Sequence, residues 1–584
     1  MQRNALGEWG AGSALRIAFV SAAIAFAALW YRSSLMPMTR LDGIQICEYA
    51  FIFFASLALV ALYSGFSKSW KLHRFLGIRG LIFPVAALLG AAAYKLGMHQ
   101  FGGFDEGLIV HAASYYAQGL RPYVDFPSPM PPLFMAALRG AVGLLGLRWS
   151  SVLATAVTYT ILTSVWMFAL LRRAAMPRHW ALAVTVCVEM STMVMCPFWW
   201  YNNTSVIAVV LLLCSVLACI QQNEGVLSWT SLALSLGMVM ASKPNIEPAC
   251  LMVLVLLATR DKAQWLKVLS AGVVATAFAC AVCAMAQMPL LPMLHSYSVV
   301  AKLRGNPLSF FPFREMGWVD ANFQGLFLIL NVLCFAALLI VSARNNPRHW
   351  RAYTAFAIAS AVAVLLACAN GEYPNLELCI MLVASAFLCL RPWQNSGLPI
   401  GRKMLLASLL ATSFVMAGFF AAIHLRILGI GEGMFYEPLA TRKIQNGFFA
   451  GLEAGPRLQA VLAQTAEVIN RYPANTIFFG PRMEFEYAVF NKPPMPGMPL
   501  LWDVGNLFPS TVFPGYLLTF QHQDPDLLIF LKNDYTRMGA VGFYIQHSPT
   551  YRRIDDYSQL TVYIRNKEVP VTYIKIPAAM QEGL

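Results

Sequence analysis

The sequence predicts a polytopic α-helical membrane protein: about 13 transmembrane helices, extracytoplasmic juxtamembrane helices and a C-terminal α/β domain. Three observations predict it. The 584 residues are 58% hydrophobic and only 12% charged, with a mean hydropathy of +0.59. Soluble domains are roughly 45–50% apolar and about 25% charged. Many apolar runs reach the roughly 17–25 residues that cross a bilayer as a helix, such as "ALRIAFVSAAIAFAALWY" (Ala14–Tyr31). Charge is also unevenly placed. Up to His424 there are 28 Lys and Arg against 14 Asp and Glu, whereas Leu425–Leu584 holds 14 of each. The net +14 therefore lies wholly in the apolar part. That argues against nucleic acid as a partner and reads as topology signals on short loops.

The expected spans, in order, are 14–31, 45–64, 80–98, 150–171, 181–197, 203–221, 226–242, 247–259, 267–287, 322–342, 352–369, 375–390 and 403–424. The first run lacks a clear small-residue cleavage site and reads as a retained helix. Residues 1–79 are read as an N-terminal two-helix extension, and 80–424 as a transmembrane domain with a juxtamembrane loop at 99–149. Within that loop, "PPLFMAALRGAVGLLGLR" (Pro131–Arg148) carries Arg139 at its middle. A charge at the bilayer centre costs about 2.5–3.5 kcal/mol on the most lenient scale. The segment is therefore read as an interfacial helix, with Arg139 on its polar side.

That reading puts the basic loops 67–79, 172–180, 260–267, 343–351 and 391–403 on the cytoplasmic side. The opposite face then receives the Asp105–Glu106 loop, the Trp199–Asn203 turn, "KPNIEP" (243–248), a long 288–321 loop, "NGEYPN" (370–375) and the tail. The expected setting is a bacterial inner membrane, with the N-terminus cytoplasmic and the tail periplasmic. From 425 to 584, short β-like runs ("NTIFFGP", "DLLIFLK", "LTVYIRN") and one helical stretch (455–473) predict a small α/β domain. It has no GxGxxG and no P-loop. The 12 cysteines, Cys47 to Cys389, lie mostly inside apolar runs and give no Cys/His spacing for zinc.

In "GFDEGLIVHAASYYAQGLRPY" (103–123), Asp105 and Glu106 stand side by side after an apolar run. Asp105 reads as the N-cap of a short helix that Gly119 and Pro122 stop. The layout, with "GLRPY" (119–123) and "PPL" (131–133), resembles the first extracytoplasmic loop of the GT-C glycosyltransferases, such as the protein O-mannosyltransferases and the lipid A aminoarabinose transferases. Motif similarity covers about 80–175; beyond it only the architecture matches. Met130 stands where related enzymes often carry Lys or His before the Pro-Pro.

The resemblance implies transfer of a sugar from a polyprenyl-phosphate donor to a glycan, lipid or protein acceptor on the extracytoplasmic face. Asp105 would be the general base, supported by Glu106. A carboxylate at the headgroup plane can take an acceptor hydroxyl's proton and stabilise positive charge at the sugar carbon. The cations expected to hold the lipid phosphate are Lys243, Arg304, Lys302 and Arg121. The expected acceptor or substrate contacts are His111, Tyr115, Asp125, His295, Glu372 and Tyr373. No metal site is expected; a divalent ion is compatible with the chemistry but not implied by it. Two other readings stay open. One is a lipid-linked glycan flippase, for which Glu189 is the clear mid-span charge. The other is a glycan polymerase or ligase.

Overall fold

The computed structural model describes residues 78–99, 101–195, 200–221, 225–242, 262–303, 442–502, 512–532 and 538–571, with isolated positions within 17–28, 55–58 and 435–437. The expected spans at 247–259, 322–342, 352–369, 375–390 and 403–424 lie outside these residues, as do Lys243, Arg304, Glu372 and Tyr373. The described positions within 17–28 and 55–58 are helical.

Helix α1 (Ile82–Gly97) is uncharged until Lys95 in its last turn, where a cation suits the helix dipole. Two shorter helices follow, α2 (Asp105–Ala117) and α3 (Pro132–Leu145). Helix α4 (Trp149–Arg173) runs 25 residues, about 37 Å, and ends on Arg172 and Arg173. Then come α5 (Arg178–Met195), α6 (Tyr201–Gln221), α7 (Val226–Ser242), α8 (Lys262–Met285) and α9 (Leu290–Leu303). Among the described residues, two stretches are long and apolar enough to cross a membrane, Trp149–Arg173 and Trp265–Met285. Helix α3 has 14 residues, about 21 Å, against a hydrocarbon core of about 30 Å. Its Arg139 donates to the Met285 carbonyl at the end of α8.

Close packing joins these helices. Gly90 of α1 faces Ile161 of α4, and a Cβ there would come to 2.9 Å of it. Gly237 of α7 lies against Phe278 and the Ala275 carbonyl of α8 at 2.7 and 2.9 Å by the same measure. Glu189 is buried in α5 and has a partner that the sequence did not name: the Thr163 hydroxyl of α4 donates to it at 2.7 Å. Cys280 and Cys283, three residues apart on α8, are both free.

The segment 288–321, read from sequence as a loop, opens with helix α9. "LLPMLHSYSVVAKL" places Met293 and Tyr297 four residues apart, and both pack inward on the core that α2 and α3 share. Polar residues and prolines hid this period.

The tail is an α/β domain. A two-stranded ribbon, β1 (Arg442–Lys443) with β2 (Glu453–Ala454), precedes α10 (Pro456–Arg471). Then come β3 (Ile477–Phe479), α11 (Glu486–Val489), α12 (Phe513–Gln523), β4 (Leu527–Leu531), α13 (Ala540–His547), β5 (Tyr551–Asp556) and β6 (Leu560–Arg565). The sheet order is β3-β4-β6-β5, with β3 and β4 parallel and the other pairs antiparallel. All five residues of β4, "LLIFL", are buried. Their alternation explains why the run is apolar throughout: successive side chains point to opposite faces. Leu527, Ile529 and Leu531 join a core with α10, α2 and α3, while Leu528 and Phe530 join α12 and α13. One hydrophobic core therefore runs from the short helices after α1 into the tail.

Candidate active site

The chain reaches the acidic pair through Gly102 and Gly103. Gly103 has φ +86°, a backbone that a side chain rarely tolerates. Phe104, not Asp105, occupies the cap position, and its carbonyl accepts from Leu108 N–H at 3.1 Å. Asp105 is thus the first helical residue, a correction of the N-cap reading. There its charge faces the positive end of the helix dipole. Asp105 is half-buried and Glu106 is buried, at 4% exposure. Glu106 Oε1 accepts the Gly102 N–H at 3.1 Å. The two carboxylates are therefore distinct: one turns inward and fixes the loop, and the other sits nearer to solvent.

Helix α2 is held by the tail. The His111 Nδ1–H donates to the Leu500 carbonyl at 3.0 Å, and the Tyr115 hydroxyl donates to the Met495 carbonyl at 2.8 Å. The His111 ring stacks on Tyr487 at 5.3 Å and leans on Tyr115 at 4.7 Å. Burial pushes the His111 imidazole down to about 4, so it is neutral at ordinary pH. Neutrality matches its bonding, with one nitrogen donating to a carbonyl and Nε2 buried without a hydrogen-bond partner. Tyr116 reaches the other way, donating to the Ala286 carbonyl just beyond α8 at 2.8 Å.

The loop that follows is tied as well. Asp125 Oδ2 accepts from the Arg121 backbone N–H at 2.7 Å and lies 3.8 Å from Arg121 Nε. Its carbonyl accepts from Gly497 of the tail at 2.7 Å. Met130 is fully buried and offers no polar group. His295 and Lys302 lie on α9, seven residues or about two turns apart, and both are exposed. The structure thus gathers Asp105, Glu106, His111 and Tyr115 on one helix and pairs Arg121 with Asp125. It sets His295 and Lys302 on a separate helix. Trp200 is buried at the start of α6, packed on Tyr201 at 4.3 Å and edge-on to Phe134 at 6.0 Å.

Sequence reasoning missed the tail's share of this site. The turn "GPRMEFE" (480–486) lies against the start of α2, at Phe104 and Gly107. Phe485 packs on Phe101 at 5.1 Å and faces Gly107. The Arg482 guanidinium lies over the Phe104 ring at 5.7 Å. Glu486 is fully buried and accepts from the Thr465 hydroxyl at 3.1 Å; burial raises its carboxyl well above the usual range. Three charges in the five residues after Gly-Pro were the only signal in the sequence. Among the described residues no group of three or more His, Cys, Asp or Glu is placed to hold a metal ion.

No family model matches the chain, and no curated protein matches it. Among solved structures, the chain is similar to ArnT from Cupriavidus metallidurans bound to undecaprenyl phosphate, with a TM-score of 0.46 and 14% identity over 83% of this chain and 97% of that one. It is also similar to the apo state of that protein, with a TM-score of 0.45, the same identity and the same coverage.

Proposed function

We propose that the chain is an integral-membrane glycosyltransferase that takes a sugar from a polyprenyl-phosphate donor. Transfer takes place on the extracytoplasmic face, to a hydroxyl of a glycan, lipid or protein acceptor. The single observation that carries the reading is the division of labour in the acidic pair. Glu106 is committed to the Gly102 N–H, and Asp105 stands half-buried at the first position of a helix clamped by the tail. A general base needs such a rigid mount with access to substrate. The membrane setting is supported by exposed apolar side chains such as Phe83, Leu88, Leu162, Leu269 and Val273 on α1, α4 and α8; the tail contributes Leu518 alone to the large exposed apolar residues described.

The chemistry balances within this site. The acceptor oxygen bonds to the anomeric carbon as the bond from that carbon to the phosphate oxygen breaks. The electron pair leaves on the polyprenyl phosphate, and the hydroxyl proton passes to the Asp105 carboxylate. Positive charge at the sugar carbon is greatest midway, where a nearby carboxylate stabilises it most. Lys302, Arg121, Lys243 and Arg304 remain the proposed phosphate-side cations.

Asp105→Asn tests the assignment. It keeps shape and polarity but removes the base, and is expected to lower transfer by about 10²–10⁴-fold in folded, membrane-inserted protein. Full activity in that variant sinks the role. Protein that transfers no sugar from any polyprenyl-phosphate donor, yet flips lipid-linked glycan, replaces the whole reading with a flippase.

A further inference from the structure

Helix α7 begins beside the end of α4 that lies away from the tail. Helix α4 runs from Trp149, whose backbone N–H donates to the Phe448 carbonyl of the tail at 3.1 Å, to Arg173, about 37 Å away. Gly225 opens α7: its carbonyl accepts the Ser228 N–H at 2.9 Å and the Trp229 N–H at 3.4 Å. A glycine there brings no side-chain oxygen to the first amides of the helix, which point out of its positive end. It also leaves room. A Cβ on Gly225 would come to 3.0 Å of Arg173 Nη1 and 3.7 Å of Ser228 Oγ. The guanidinium of one helix and the hydroxyl of another therefore meet at the start of α7.

Ser228 is fully buried, yet its Oγ has no hydrogen-bond partner, a state that buried polar groups rarely keep without a ligand or water. Arg173 is half-buried, and among the described residues its guanidinium enters no hydrogen bond or ion pair. Arg172 beside it is committed to the Met176 carbonyl. Helices α4, α6, α7 and α8 contain no Asp or Glu. A cation, a buried hydroxyl and a helix N-terminus facing one point suit an anion with several oxygens, such as a phosphate.

The surroundings select the source of that phosphate. Val226 and Leu227, the first two residues of α7, are exposed. Lys267 of α8 lies over the Trp229 ring at 5.8 Å, so α8 starts beside α7, and its Trp265 and Leu266 are exposed too. A lipid headgroup uses both the polar point and this apolar surface, whereas free phosphate uses only the first. We propose that Arg173, Ser228 and the first N–H groups of α7 bind the phosphate of an anionic phospholipid, whose acyl chains lie on Val226 and Leu227. This rests on the membrane setting proposed above and not on the transfer chemistry.

The test uses the full chain in maltoside micelles, with native mass spectrometry to count bound dioleoylphosphatidylglycerol and dioleoylglycerol. Wild type is expected to hold one phosphatidylglycerol about tenfold or more tighter than dioleoylglycerol, and excess inorganic phosphate is expected not to displace it. Arg173→Gln is expected to weaken that tightest site by about tenfold, and Ser228→Ala by about threefold, with dioleoylglycerol unchanged. Arg178→Gln, which removes a cation from the start of α5, is expected to leave it unchanged. Undiminished phosphatidylglycerol binding by Arg173→Gln or by Ser228→Ala overturns the site. So does an equal loss in Arg178→Gln, which would leave surface charge alone as the cause. Displacement by inorganic phosphate overturns the lipid as occupant. A chain that stays monodisperse without detergent overturns the membrane setting and this inference together.

Discussion

Glu453 ties the tail's ribbon to the end of α1. Its carboxylate accepts from Lys95 Nζ at 2.8 Å and meets His99 Nδ1 at 2.6 Å, both at the end of α1, while its backbone N–H donates to the Met98 carbonyl at 2.9 Å. Lys95 first, and then His99, hold its carboxyl pKa below the usual carboxylate range. A depressed carboxyl contributes stability that is complete above its unfolded pKa, about 4.3, and is lost as pH falls through its folded value. Glu453→Gln is therefore expected to unfold with less dependence on acid than wild type below about pH 4.5. Parallel melting-temperature curves across pH 3–6 would count against the clamp. None of this was legible in sequence, because Lys95 and Glu453 lie 358 residues apart. Asp105 shows the limit at short range. An Asp before a helical run is a good N-cap by type, yet the Gly102–Gly103 turn shifts the cap to Phe104. The carboxylate that closes the loop belongs to Glu106 instead.

Helices were the most legible level. Six expected spans coincide with helices α1 and α4 to α8 within a few residues, and two of these helices, α4 and α8, hold stretches long and apolar enough to cross a membrane among the described residues. Helix α9 was not legible, since its inward positions are interleaved with Ser, His and Lys. Nor were the sites of close helix approach, which depend on what a partner helix presents. Gly237 is one: its neighbours include the backbone oxygen of Ala275, which cannot rotate away. Gly237→Ala is expected to part α7 from α8 and destabilise the protein by about 1–3 kcal/mol. Thermal unfolding in detergent measures it, and an unchanged midpoint contradicts the packing described. In the tail, the runs "NTIFFGP", "DLLIFLK" and "LTVYIRN" all fall on strands, and 455–473 on α10. Helices α12 and α13 were missed because their short apolar runs carry no clear period.

For the whole molecule, charge on short loops is the signal for sidedness, one that needs no tertiary contact. On that signal the tail is expected outside. Gln546 is exposed at the end of α13. A Gln546→Cys variant in intact cells is expected to react with a membrane-impermeant maleimide, with wild type as the background. Labelling that requires permeabilised cells reverses the assignment. The seam between α2 and the tail could not be read, because its bonds cross hundreds of residues. That separation also sets a timetable for biogenesis. His111 and the Leu500 carbonyl are 389 residues apart. A ribosome adding about 5–20 residues per second emits that length in roughly 20–80 s. Throughout that wait α2 has been made but its partners have not, so Phe101, His111 and Tyr115 have no tail to pack on. The seam between α2 and the tail can close only near the end of synthesis, and a nascent chain halted before then lacks the tail contacts that hold the helix bearing Asp105 and Glu106.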